Sequence, residues 1–237
     1  LDIALIVSCF VVGLVMIAGA GSNLNQQFGL PFWAGGLLCA ALIIIVSFLD
    51  FEKITGVLGI FTPIVFIMII IIAVHTFTNR SFDFDELEAI SATIPSPMPN
   101  VWISLLNYFA LAVMTAVPMA FVLGGSIMRI GVAEKSGILG GLGVSIIITV
   151  VTCVLYANVK LASTVDMPML AIAEQIHPIF SLIYAFVIYG LIFNTAFSLF
   201  YALAKRFSSD NPKRFYPILI GTVVIGYALS FMGFKEL

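Results

Sequence analysis

Two sets of uncharged polar side chains interrupt stretches otherwise built from Leu, Ile, Val, Ala and Phe, and these are the residues of the chain best placed to do chemistry. The first lies in the run from residue 100 to 128, where Ser104, Asn107, Tyr108, Leu111 and Thr115 recur at three- and four-residue spacing. That spacing puts them on one helical face, and Pro118 then removes a backbone donor. Read as one straight helix, the run would be about 43 Å long, against a hydrocarbon core of about 30 Å. A bend or an unwound turn between Tyr108 and Pro118 is therefore expected. Backbone freed inside a bilayer persists only when buried in protein or lining a wet cavity, where half-helix N-termini favour anions and freed carbonyls favour cations. A simple proline kink that aids packing accounts for the same residues equally well.

The second set lies between residues 178 and 204. Tyr184, Leu191 and Ser198 are seven apart, and Val187, Asn194 and Tyr201 form the neighbouring row, with Thr195 beside them. Asn194, Thr195 and Ser198 thus offer several neutral oxygens within about one turn, a hard donor set of the kind that suits Na+. The same groups could instead hydrogen-bond another helix, at about 0.6 kcal/mol each.

The elements that must carry these residues are membrane spans. Apolar residues make up 62% of the chain and charged ones 9%, whereas a soluble domain carries about 25% charged residues. Spans of about twenty apolar residues are expected near residues 3 to 21, 31 to 49, 54 to 77, 100 to 128, 137 to 158, 178 to 204 and 215 to 233, forming a single all-α transmembrane domain. All ten Lys and Arg fall in loops or at span ends. With the start of the first span in the cytoplasm, only Arg80, Lys160 and Lys235 lie outside, in accord with the positive-inside rule. The connection carrying Asp83, Asp85, Glu86 and Glu88 then faces outward, either as a plain solvated link or as an acidic surface that concentrates cations. Val165, Met169, Ile172 and Ile176 share a helical face, which predicts an outer amphipathic helix near residues 167 to 177, a passive surface helix or a lid. Glycines at 137 and 141, with 140 and 143 beside them, predict close approach of another helix, as do Gly19 and Gly21, Gly35 and Gly36, and Gly56 and Gly59. Pro63 is expected to kink the third span.

Several function classes drop out. A net charge of −2 without a basic surface run disfavours nucleic acid as a partner. No HExxH, GxSxG, Walker or GxGxxG motif is present, so an enzyme is not expected. Cys9, Cys39 and Cys153 lack metal-ligand or redox spacing. His75 and His177 sit at span ends, where amphipathic side chains rest comfortably. The last span has no mid-membrane lysine for a light-driven pump. The chain opens on Leu1 directly inside a membrane segment and stops just after the last span, so it reads as a piece of a longer protein.

Val15-Met-Ile-Ala-Gly-Ala-Gly-Ser22, followed by Gln26-Gln-Phe-Gly-Leu-Pro-Phe-Trp33, resembles a segment of the YkvI-like bacterial membrane proteins, which are similar to LeuT-fold transporters. The resemblance extends through Tyr108 to Pro118, Met167-Pro-Met-Leu-Ala-Ile-Ala-Glu-Gln175 and the Asn194-Thr195 region. It implies that the seven spans correspond to helices three to nine of a ten-helix core of two inverted five-helix repeats. It further implies a multi-pass protein of the bacterial inner membrane, a secondary active transporter that carries a small solute such as an amino acid by alternating access, coupled to Na+ or H+. In that fold the helix matching the fourth span is unwound at mid-membrane, so Tyr108 would contact substrate while Asn107 and Thr115 support the turn. Asn194, Thr195 and Ser198 would hold the cation, Asn194 standing where a hydroxyl is common. No other cofactor is implied. The rival expectations are a ligand-binding receptor that kept a transporter-like fold, as spore-germination proteins of similar architecture suggest, and a structural membrane protein with neither activity.

Overall fold

The first apolar run continues well past its glycines. In the computed structural model, which describes residues 2 to 49, 51 to 79, 83 to 94, 98 to 124, 130 to 208 and 211 to 232, helix α1 spans Asp2–Phe28. It ends at Gly29, whose φ of 66° supplies the left-handed C-terminal turn that costs a residue with a Cβ roughly 1 to 2 kcal/mol. The Gly29 N–H closes on Asn25 O at 2.8 Å and the Asn25 side-chain amide donates to Leu30 O at 2.8 Å. Helix α2, Phe32–Val46, then folds back from Pro31.

Small residues set how closely these two helices cross. A Cβ built on Gly35 would lie 2.7 Å from Ala20 O and 2.9 Å from Gly21 Cα, and one on Gly21 would meet Phe32 O at 2.6 Å. By contrast, a Cβ on Gly137, Gly140, Gly141 or Gly143 would meet nothing within 4 Å. The expected glycine seam therefore forms between α1 and α2, whereas the GxxxG face of the fifth span is open. Close packing is decided by what the opposite helix presents, which a spacing motif does not encode. Gly35→Val is accordingly expected to overpack the crossing, at about 1 to 3 kcal/mol, and to lower the thermal unfolding midpoint in detergent. Gly140→Ala should leave that midpoint in place, and equal midpoints for the two variants would contradict the assignment.

The third run divides into α3, Phe51–Leu58, and α4, Phe61–Asn79. The break falls at Gly59 and Ile60, N-terminal to the expected kink, because Pro63 fits the first turn of α4 where its missing N–H has no intrahelical role. The acidic connection contains a helix, α5, Phe84–Thr93. Asp83 caps it by accepting from Asp85 N at 3.1 Å, and Asp85 and Glu86 occupy the first turn, where the helix dipole favours negative charge.

Helix α6 runs Val101–Gly124 without interruption, so of the bend or unwound turn expected between Tyr108 and Pro118 the unwound turn does not form. A single proline removes one ladder bond, and a membrane helix tolerates that loss when the flanking bonds hold. One turn before it, the Thr115 hydroxyl donates to the carbonyls of Leu111 and Ala112, both at 3.0 Å. Helix α7, Ile130–Ala157, leads to the short α8, Val159–Ala162, and to α9, Pro168–Ile176, close to the expected outer helix. Leu170, Ile172 and Ala173 of α9 are buried. Helix α10, Pro178–Ser208, has Lys205 and Arg206 in its last turn, and α11, Pro212–Leu229, is capped by Asn211 through Lys213 N at 3.0 Å. A short 3-10 turn, Ser230–Met232, ends the described chain.

Helix α10 takes part in three apolar clusters among the described residues, the smallest of which joins its Leu199 and Leu203 to Cys9 of α1. Its second half, with Phe193, Phe197 and Phe200, packs with Ile17 of α1, Ile43 of α2 and Leu219 of α11. Its first half, with Tyr184 and Val187, packs with Ile69 and Ile72 of α4, Val154 of α7 and Ile172 of α9. Residues 17 to 23 of α1 are all buried, so that stretch of the helix is enclosed on every side. Four stretches, Ile3–Phe28, Gly56–Asn79, Ile130–Ala157 and Pro178–Ser208, are long and apolar enough to cross a membrane, while Phe32–Val46 and Val101–Val117 are shorter apolar helices. The protein is an all-α, multi-pass membrane protein, with no strand among the described residues.

Candidate functional site

Five uncharged polar residues, Ser22, Asn23, Asn25, Gln26 and Gln27, close the otherwise apolar α1, and three of them meet partners on distant segments. Ser22 Oγ donates to Asp166 Oδ2 at 3.2 Å. Gln26 pairs with the backbone of Met167 in both directions, its Nε2 donating to the carbonyl and its Oε1 accepting from the N–H, each at 2.9 Å. Ser181 Oγ of α10 donates to Gln27 Oε1 at 2.7 Å. These bonds draw the end of α1, the segment before α9 and the start of α10 to one end of the bundle. Between them Asn23 is wholly buried, and neither its Oδ1 nor its Nδ2 has a hydrogen-bond partner in the structure. A buried polar group left without a hydrogen bond costs about 1 to 3 kcal/mol.

None of these residues entered the sequence-based site assignment, although Ser22, Gln26 and Gln27 lie in the segments that carry the family resemblance. The available signal was five hydrogen-bonding side chains within residues 22 to 27, at the end of an apolar stretch that was already long enough to span a membrane.

The predicted cation ligands lie on α10. Asn194 is half-buried, and its Oδ1 is buried without a donor. Ser198 stands one turn further along the same face and is also half-buried. Thr195 lies on the exposed shoulder and donates its hydroxyl proton to Leu191 O at 2.9 Å, which leaves the oxygen's lone pairs for other use. An amide oxygen and two hydroxyl oxygens are neutral donors of the kind that a small hard cation takes. Asn194 is the member of the set most in need of a partner, since buried polar groups are normally paired.

Asn107 and Tyr108 lie on an exposed face of α6, Tyr108 with 58% of its surface accessible, while Thr115 is half-buried. Among the described residues no hydrogen bond joins this set to Asn194, Thr195 or Ser198; the recorded polar approach of α6 to α1 is Ser8 Oγ to Met114 Sδ at 3.9 Å. His177 caps α10, its Nδ1 accepting from Ile179 N at 3.1 Å. Cys9 and Cys39 are buried and Cys153 is exposed, all three as free thiols.

No family model matches the chain, and no solved structure matches it. Over 232 residues it is 26% identical to YkvI of Bacillus subtilis (strain 168), an uncharacterized membrane protein. The match covers 94% of this chain but 62% of the relative, so the chain spans less than two thirds of that protein's length. The similarity therefore runs through nearly all of the bundle described above, and it bears out the resemblance to YkvI-like membrane proteins read from the residue 15 to 33 segments.

Proposed function

We propose that this chain forms most of a secondary transporter that carries a small polar solute, an amino acid first among the candidates, across the bacterial inner membrane by alternating access, with Na+ or H+ as the coupling ion. The observation that supports the reading is the buried, donor-free Oδ1 of Asn194 inside an apolar helix, beside Thr195 and Ser198. Polar groups within membrane helices are expensive to bury and characteristically mark solute and ion pathways. In this reading Asn194, Thr195 and Ser198 contribute oxygens to the cation, and Asn107, Tyr108 and Thr115 present the solute-facing side of α6. No covalent step is required, and the protein acts as a carrier and not as an enzyme.

A receptor that binds its solute without moving it is the second reading. It is favoured by the two-way pairing of Gln26 with Met167, which ties the segment before α9 to α1 and resists the rearrangement a carrier needs. The complete protein in proteoliposomes separates the two. Uptake of labelled amino acids is expected to exceed background under a sodium or a proton gradient. Background uptake under every gradient, together with ligand-induced thermal stabilisation, would select the receptor. Neither flux nor stabilisation across a broad solute panel would leave the structural alternative.

A further inference from the structure

A groove of about 520 Å3 lies between α5 and α8, at the end of the bundle that the charge distribution places outside. Its walls carry both signs of charge. Asp83 and Glu86 line it from the start of α5, and Lys160 lines it from α8. Between the charged groups, Leu87 and Ile90 on one side and Leu161 on the other supply apolar surface. Asn158 forms part of the wall at 3% exposure; its Nδ2 is committed to Val154 O at 2.9 Å, and its Oδ1 is buried without a donor.

We propose that this groove is a binding site for a zwitterionic α-amino acid with an apolar side chain. Each part of that ligand class answers a feature of the groove. An ammonium group is attracted by the Asp83 and Glu86 carboxylates, a carboxylate by the Lys160 ammonium, and an apolar side chain removes area from water against Leu87, Ile90 and Leu161. A lone anion meets two carboxylates for one ammonium, and a lone cation leaves Lys160 unanswered, so a zwitterion uses both poles where either alone uses one. The volume lies within the range of about 300 to 1,000 Å3 that small-molecule sites occupy. Because Asp83, Glu86 and Lys160 are themselves exposed, added salt screens the attraction. The site stands on the groove alone and holds whether or not the membrane helices transport anything.

The test uses the complete protein in nanodiscs, with calorimetric binding of L-leucine, of leucinamide, which lacks the carboxylate, and of 4-methylpentanoate, which lacks the ammonium. Leucine is expected to bind, and each truncated analogue to bind about tenfold more weakly or worse. Glu86→Gln and Lys160→Gln should each weaken leucine binding by about tenfold, while the thermal midpoint of the unliganded protein stays in place. In an Asn194→Ala background, where the embedded contact proposed for transport is removed, leucine binding to the groove should persist. Absence of leucine binding at millimolar concentration overturns the proposal. So does binding that ignores both groove substitutions, or that disappears with Asn194→Ala alone. Tighter binding of leucinamide than of leucine overturns it as well, showing a cation site instead.

Discussion

Replacing Asn194 by alanine in the complete protein is expected to lower cation-driven uptake by about 10- to 100-fold, the effect of removing an interaction with a charged group worth about 1.5 to 3 kcal/mol in a desolvated site. The direction follows from the unpaired state of its Oδ1 in the structure. If that oxygen served packing alone, alanine would relieve an unmet buried acceptor and the folded protein would become more stable with uptake unchanged. If it binds a cation, unliganded stability changes little, while stabilisation by sodium disappears. Thr195→Ala should produce a smaller loss of the same kind, because its hydroxyl already serves Leu191 O and Thr195 lies on the exposed side of the helix. Measuring the thermal midpoint with and without sodium, beside uptake, distinguishes the two accounts, and full uptake by Asn194→Ala would remove the transport reading's main support.

Phe200→Ala is expected to be the most damaging single truncation for stability. The ring is wholly buried in the core where α1, α2, α10 and α11 meet. It lies in a slot between two glycines: a Cβ on Gly13 would stand 3.0 Å from Phe200 Cε2, and one on Gly226 would stand 2.9 Å from its Cζ. Phe10 meets it edge-on with ring centroids 6.3 Å apart. Emptying such a site costs about 3 to 5 kcal/mol, since the transfer and dispersion terms are lost and rigid helices collapse only partly into the void. Dispersion still operates inside a bilayer, where helices gain little from excluding water. Reversible unfolding in mixed micelles checks the magnitude. Phe200→Leu should recover part of the loss, and Gly226→Val should destabilise from the opposite side by crowding the ring. A Phe200→Ala variant within about 1 kcal/mol of the parent would show that the slot is not a principal support of the bundle.

Several local features were readable from residue types in order. The α9 helix was anticipated from Pro168 and the face shared by Met169, Ile172 and Ile176, and it forms over Pro168–Ile176. Asn194, with Thr195 and Ser198, stands out in the sequence because the three place several side-chain oxygens within about one turn of an apolar run, for a cation or for another helix. Other features needed the fold. The sequence places the end of the first span near residue 21, but the helix continues to Phe28, where the side chains of Ser22, Gln26 and Gln27 find partners on segments more than 140 residues away. The acidic connection reads in the sequence as a solvated link or a cation-concentrating surface, whereas in the structure Asp83 and the following carboxylates start a helix.

By itself, then, the sequence determined that the chain is a helical membrane protein, because the transfer of side chains into hydrocarbon is close to a sum over residues and 62% of these are apolar. It also determined which polar residues stand out against that background. Only the tertiary structure decided which of them are answered. Gln26 meets a backbone that completes both of its hydrogen bonds, Asn23 and Asn194 do not, and Gly35 touches another helix while Gly140 faces open space. Pairing and close approach depend on what a distant segment presents at a few ångströms, and that is a property of the packed bundle and not of any one helix.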